Sequence, residues 1–304
     1  GRKQMDKKFI IEYASRSFSK EDIELIQWTR KQYPDLSRTE LVATICEFLD
    51  WTTDAGRPKK DPCLKFLEKL EAEGIFTLPA VQTDRSRPNK NTFIKIQPPE
   101  EEITGDLADL EEIQLLLAET PEEQKRFRSY IEAYHMLGYK KTFGSRLFYF
   151  VTSGDKELGC MQFSASSWAL KERDQWIGWT KEDRVQRLHL IINNSRYLIF
   201  PWVHIPNLAS HVLSLASKQL PIDYMRIYCY EPVLLETFVD PDHFLGTCYK
   251  AANWKYLGRT EGRGRTGRRG DVSEKDIYMY PLCRDFRKYL TGEKAYKKGD
   301  PDHD

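Results

Sequence analysis

The chain has 304 residues, enough for two domains each with a sizeable core, and its 47 Lys and Arg against 46 Asp and Glu exclude a uniformly charged surface as the basis of any partner. Six cysteines, Cys46, Cys63, Cys160, Cys229, Cys248 and Cys283, lie far apart with no C-x-x-C pair, which points away from a stapled peptide or zinc finger and toward free thiols in a reducing compartment. The N-terminus has no apolar leader and the apolar runs are strand-sized, so a cytoplasmic protein without a membrane segment is expected.

Residues 16–79 read as three short helices and a hairpin stub. Ser19 followed by Asp22 is a capping-box pattern that opens a helix carrying Ile23, Ile26 and Trp28 and stopping near Pro34. Ser37 with Glu40 repeats the signature ahead of Leu41, Ile45 and Leu49. A third helix follows Asp61, with Pro62 in its first turn, Leu64, Leu67 and Leu70 inward and Gly74 as its stop. A short β-like run, Ile75-Phe76-Thr77-Leu78-Pro79, comes next. Helix, helix, helix, strand is the order of a winged helix, whose third helix would enter a DNA groove.

Residues 82–104 are polar and proline-containing and read as a linker. From Ile113 the pattern alternates: strand 113–118, helix 121–137 ending at Gly138, a hairpin of 146–152 and 157–164, strand 196–201, helix 207–220, strand 233–239 and helix 243–254. The expected fold class is therefore α/β (mixed α+β), with a winged-helix-like module over 1–81, the linker, a mixed-sheet domain over 105–290 and a polar tail over 291–304. The element order of the larger domain resembles the GNAT acyltransferases, a likeness of fold alone.

Several stretches together carry a closer resemblance: Tyr134-His135-Met136-Leu137-Gly138, Arg173-Asp174-Gln175-Trp176-Ile177-Gly178-Trp179, Asn193-Asn194-Ser195-Arg196-Tyr197 and Pro206-Asn207-Leu208-Ala209-Ser210. The most diagnostic is Gly246-Thr247-Cys248-Tyr249-Lys250-Ala251-Ala252-Asn253-Trp254, followed by Gly258-Arg259-Thr260. As a set, over about residues 16–285, they resemble the DruA family of the Druantia anti-phage systems, whose relatives occur beside or fused to transposases. The resemblance implies a defence role alongside partner proteins, a large helicase among them, and supplies no established reaction.

Acyl-CoA chemistry of the usual GNAT kind needs glycines at the start of a helix so that backbone N–H groups can cradle a pyrophosphate. Here the segment is His204-Ile205-Pro206-Asn207-Leu208-Ala209-Ser210, without glycine and with a proline that removes one donor. No cofactor is expected, and Asn207 reads as a structural cap. Glu236 interrupts an apolar strand, so it is either a buried general base or one member of a polar network with Thr237 and Asn253. With Asp240, Cys248 and Tyr249 it makes the candidate catalytic set for a transferase or nuclease-like enzyme. Cys248 reads equally as a small buried hydrophobe. Arg173, Trp176 and Trp179 form either a base-stacking lip or a packed core with Arg173 paired to a carboxylate.

No metal constellation stands out. The candidate DNA contacts are Lys65 and Lys69 on the third helix, opposed there by Glu68, Glu71 and Glu73, and the glycine-interleaved Arg259, Arg263, Arg265, Arg268 and Arg269, whose alternative is a solvated loop with no ligand. The sequence reading thus favours a defence subunit that binds nucleic acid, a partner helicase or both.

Overall fold

A computed structural model of the chain describes residues 10–34, 36–49, 51, 53, 58–80, 93–140, 142, 144–168, 170–260 and 273–299. Its described residues fall into two compact units, one up to residue 80 and the other from residue 93 onward. No helix among them is long and apolar enough to cross a membrane.

The first unit begins with strands β1 (Ile10–Tyr13) and β2 (Arg16–Ser19), paired antiparallel. Ala14 and Ser15 between them hold φ of 49° and 61°, as a two-residue hairpin turn requires. Helices α1 (Lys20–Gln32), α2 (Arg38–Phe48) and α3 (Lys60–Ala72) follow. Both expected capping boxes form: Ser19 and Asp22 exchange bonds at the start of α1, and Ser37 and Glu40 at the start of α2. The core is aromatic. Phe18 stacks on Phe66 with centroids 4.0 Å apart, and Trp51 meets both edge-on.

On α3 the buried residues are Cys63, Phe66, Leu67 and Leu70; Leu64, expected inward, sits at the flank and is only half-buried. The segment 75–79 forms no strand. Its carbonyls are taken by side chains instead, Ile75 O accepting from Gln27, Thr77 O from Arg30 and Pro79 O from Arg38. The strand pair of this unit precedes the helices, so the helix-helix-helix-strand order on which the winged-helix expectation rests is not found among the described residues.

The second unit contains, in chain order, β3 (Ile103–Thr104), β4 (Ile113–Leu117), α4 (Pro121–Tyr134), β5 (Arg146–Ser153), β6 (Lys156–Ala165), α5 (Lys171–Ile177), α6 (Lys181–Arg187), β7 (Ile191–Ile199), β8 (Val203–His204), α7 (Leu208–Tyr228), β9 (Leu234–Val239), α8 (Thr247–Ala251), β10 (Lys255–Arg259), β11 (Asp276–Pro281) and α9 (Phe286–Leu290). Seven strands form one mixed sheet in the order β10-β11-β9-β7-β6-β5-β4. Only β7 and β9 run parallel within it. This is the mixed α/β architecture expected from the alternating pattern.

Alternation along each strand sorts side chains to two faces. Phe148 and Phe150 of β5 pack against Phe127 of α4, with centroids 4.6 and 5.8 Å away. Tyr149 between them turns to the other face, where its hydroxyl donates to Asp223 of α7 at 2.7 Å. Helix α7 continues to Tyr228 although Pro221 lies inside it, where a stop at residue 220 was expected. Burial of Leu220, Asp223 and Tyr224 holds the continuation together despite the missing N–H donor.

The expected helix over 243–254 shrinks to α8, because Gly246 takes a left-handed φ of 65° at its start. A Cβ there would lie 2.5 Å from the Tyr278 hydroxyl. Helices α5 and α6, strands β10 and β11 and helix α9 have no counterpart in the sequence reading. Phe127→Ala removes a ring with no exposed surface and should cost about 3–5 kcal/mol, read as a fall in the urea midpoint with far-UV dichroism otherwise unchanged.

Candidate functional site

The centre of the larger unit is a fork. Strand β7 pairs with β9 only from Ile191 to Asn193, opposite Leu234 to Glu236. Beyond it β7 follows β6 to Ile199 while β9 follows β11 to Val239. On one face the fork is stitched by Asn194: its backbone carbonyl accepts from the Thr237 hydroxyl at 2.9 Å, and its Oδ1 from the Tyr249 hydroxyl at 2.7 Å. Burial pushes the Tyr249 phenol well up, so it serves as a neutral donor. Its ring stacks on Tyr278 with centroids 5.8 Å apart.

On the opposite face stands Glu236, fully buried on β9. Its Oε1 accepts the Ser167 N–H at 2.8 Å and its Oε2 the Arg173 Nη1 at 2.9 Å. Arg173, on α5, has no exposed surface either. Its remaining donors go to the carbonyls of Ser167 and Trp168 and to Asp174 Oδ1. Asp174 in turn accepts from Arg184 at 3.0 Å and from Trp179 Nε1 at 3.1 Å. In this geometry Glu236 is paired with Arg173, the arrangement that a structural reading of the arginine–tryptophan segment requires. Glu236 bonds Arg173 and Ser167, while Asn253 has a φ of 64° on the loop after α8 and lies outside the network.

The four candidate catalytic residues are not gathered. Glu236 lies on the α5 side of the sheet, whereas Tyr249 bonds Asn194 on the side of Thr237, the next residue along β9, which must face the other way. Cys248 is next to Tyr249 in α8, and burial raises its thiol to about 11, which favours the protonated thiol at neutral pH. Asp240 follows the end of β9, bonded to the Lys275 ammonium and the Asp242 N–H and 3.5 Å from His243 Nδ1. Lys275 holds the Asp240 carboxyl down at about 2.

His135 lies beside Arg196. Because Arg196 and Tyr197 alternate along β7, and Tyr197 bonds Ala209 of α7, His135 and Cys248 are on opposite sides of the sheet. Burial first, then the Arg196 charge, lowers His135 to about 4.

At the start of α7, Asn207 occupies the N-cap position with a φ of 61° but makes no side-chain cap bond, so the expected Asn207 cap is a matter of backbone geometry alone. Lys65 and Lys69 are on α3, next to Glu68, and Glu68 is 3.8 Å from Arg38. Arg259 ends β10 and bonds Asp276 across the hairpin at 2.8 Å. Arg263, Arg265, Arg268 and Arg269 lie outside the described residues.

Trp176 behaves differently from Trp179. Lys255 and Arg287 sit over its ring at 5.3 and 4.6 Å from the centroid, and Phe286 stacks on it at 5.1 Å. Sequence reasoning missed this cluster because it joins α5, β10 and α9, none of which it had placed.

A mixed sheet with a stitched fork, a buried ion pair beneath an inserted helix and a basic edge hairpin defines a mixed α/β protein whose core polar groups are largely bonded to one another. The model of the family described as Druantia protein DruA matches residues 77–273, and the chain belongs to that family, which is one of anti-phage defence. No curated protein matches it. Among solved structures, FeeM, an N-acyl amino acid synthase from uncultured soil microbes, is 12% identical over 56% of this chain and 90% of its own, with a TM-score of 0.36. A chain from Desulfovibrio desulfuricans assigned to the GNAT family is 12% identical over 57% of this chain and 100% of its own, at 0.34. Ribosomal-protein-S5-alanine acetyltransferase from Vibrio fischeri is 8% identical over 57% and 93%, at 0.34. Likeness at this level carries no argument about activity.

Two outcomes follow from the site. Glu236→Gln leaves the buried Arg173 with Asp174 as its remaining carboxylate partner and should destabilise by about 3 kcal/mol, measured by urea unfolding. His135 is neutral in the folded protein and takes a proton more readily unfolded, since 4 lies below 6.5. Stability should therefore fall as pH drops from about 6.5 toward 4, and His135→Gln should flatten that limb of the unfolding-midpoint curve.

Proposed function

We propose that the chain is the nucleic-acid-contacting subunit of a Druantia defence assembly and that its contact surface is the β10–β11 edge of the sheet. The observation that carries this reading is the bonded base of the β10–β11 connection, between whose two ends the sequence is rich in arginine. Strand β10 is an edge strand, and residues 260–275 join it to β11. The base of that connection is clamped by Arg259 on Asp276, by the Thr260 N–H on the Lys275 carbonyl at 2.9 Å and by the Lys275 N–H on the Thr260 hydroxyl at 2.9 Å.

From that base the sequence runs through Arg263, Arg265, Arg268 and Arg269, interspersed with glycines and opposed by Glu261, Asp271 and Glu274. Cations so spaced suit a phosphate backbone. On the same edge, the exposed Lys255 and Arg287 flank Trp176, a pairing of cations with an aromatic face that also suits nucleic acid. Lys65 and Lys69 offer a second, weaker patch, because Glu68, Glu71 and Glu73 surround them. Membership of a defence family supports a setting among other defence proteins, and a helicase among them is part of the proposal.

The reading is tested by the salt dependence of DNA binding. Replacing Arg263, Arg265, Arg268 and Arg269 with Ala should lower affinity and reduce the log–log salt slope by up to about 3.6, at ~0.9 for each phosphate no longer neutralised. Lys255→Glu with Arg287→Glu should weaken binding further. An unchanged slope in both variants would remove this edge as the contact surface.

A further inference from the structure

On the α4 side of the sheet a second polar cluster runs along β6 and β7 from Asn193, which stands opposite Glu236 at the fork, to Gln162 and Arg196. Strand β6 meets β7 with a register shift between Gln162 and Phe163: Gln162 stands opposite Arg196, but Phe163 stands opposite Asn194. The extra residue, Ser195, is a bulge, and bulges re-aim neighbouring side chains. Here it brings Arg196 to the same face as Gln162, with Ser164 and Asn193 as the next pair along.

Three polar groups in this patch lack what burial demands. Gln162 is 1% exposed, yet its Oε1 has no hydrogen-bond partner, while its Nε2 reaches Thr142 Oγ1 at 3.3 Å. Asn193 Oδ1 is also buried and unpartnered. The half-buried Arg196 gives its Nε to Gly138 O at 3.0 Å and its Nη1 to Ser195 O at 2.7 Å. No carboxylate among the described residues pairs with it. By contrast, Arg173 and Arg184 face carboxylates at 2.9 and 3.0 Å, and Arg126 faces Glu157.

A partly desolvated guanidinium without a counter-ion is costly, and so is a buried amide oxygen without a donor. Both costs are removed together by a ligand that brings an anion to Arg196 and N–H groups to the two amide oxygens. We infer that the β6–β7 bulge face binds a small molecule with a carboxylate or phosphate group and a hydrogen-bond donor beside it, the anion on Arg196 and the donor on Gln162 and Asn193. Desolvation lowers the Arg196 pKa from its usual value, and a bound anion would oppose that shift. His135, kept neutral there, adds no competing charge at physiological pH.

The test is isothermal titration of the full chain with inorganic phosphate, AMP and glycylglycine, the last two distinguishing a phosphate source from a carboxylate source. Phosphate should bind weakly, and one of the two larger probes should bind at least about tenfold more tightly. Arg196→Gln should abolish binding, Arg196→Lys should leave it intermediate because the planar guanidinium is gone while the charge remains, and Gln162→Met should erase the preference over plain phosphate. Melting curves identify any variant that fails to fold, and Arg196→Lys and Gln162→Met keep the test decisive in that event. No saturable heat with any of the three probes, or binding unchanged in the folded variants, would overturn the assignment.

Discussion

The larger unit depends on one ion pair with no exposed side-chain surface. Arg173 and Glu236 are both fully buried, and each is costly without the other. Glu236 sits on an interior strand between β7 and β11, so its charge can be met only from the face of the sheet. The segment between β6 and β7 meets it, turning at Ser167, whose N–H caps one carboxylate oxygen, and entering α5, whose Arg173 takes the other. Replacing such a pair with apolar groups can cost little, so its value lies in position more than in net stability. It fixes where α5 lies on the sheet, and the Arg184–Asp174–Trp179 bonds extend that hold toward α6.

That arrangement bears on what the protein can do. Both Glu236 carboxylate oxygens are bonded, one to a guanidinium and one to a backbone N–H, and the thiol and phenol nearest the fork are both raised by burial. The fork itself, where two parallel strands part, is filled by Asn194, Thr237 and Tyr249 bonding one another. At the fork these polar side chains are bonded to one another, and groups without such partners lie on the bulge face around Arg196.

How far the sequence could foresee this varies with the physical cause. The first two helices of the first unit were legible from local capping chemistry, since Ser19 with Asp22 and Ser37 with Glu40 need nothing from the rest of the chain, whereas α3 starts at Lys60 without a side-chain cap, ahead of the expected Asp61. The hairpin of β5 and β6 and the apolar β9 were equally plain. Strand β7 was seen only at its end, because Asn193, Asn194 and Ser195 look like a loop until their partners at the fork and the bulge are known. Likewise Glu236 could be recognised as a buried carboxylate, but its partner lies 63 positions away, and spacing carries no information at that range. Strands β10 and β11 escaped because glycine- and arginine-rich sequence separates them. Arg196 escaped for another reason: its significance is a missing counter-ion, which only the folded arrangement reveals.

If Arg173 and Glu236 hold the fold and transfer no protons, their charges should be dispensable as a pair. The direct measurement is phage protection by the charge-free pair, Arg173→Met combined with Glu236→Leu, in the complete defence system, together with its melting temperature. A structural pair predicts that the double variant folds, melts near the parent and keeps most of its protection, while either single replacement is less stable. A double variant that folds and melts normally yet gives no protection would contradict this role and make Glu236 a participant in chemistry.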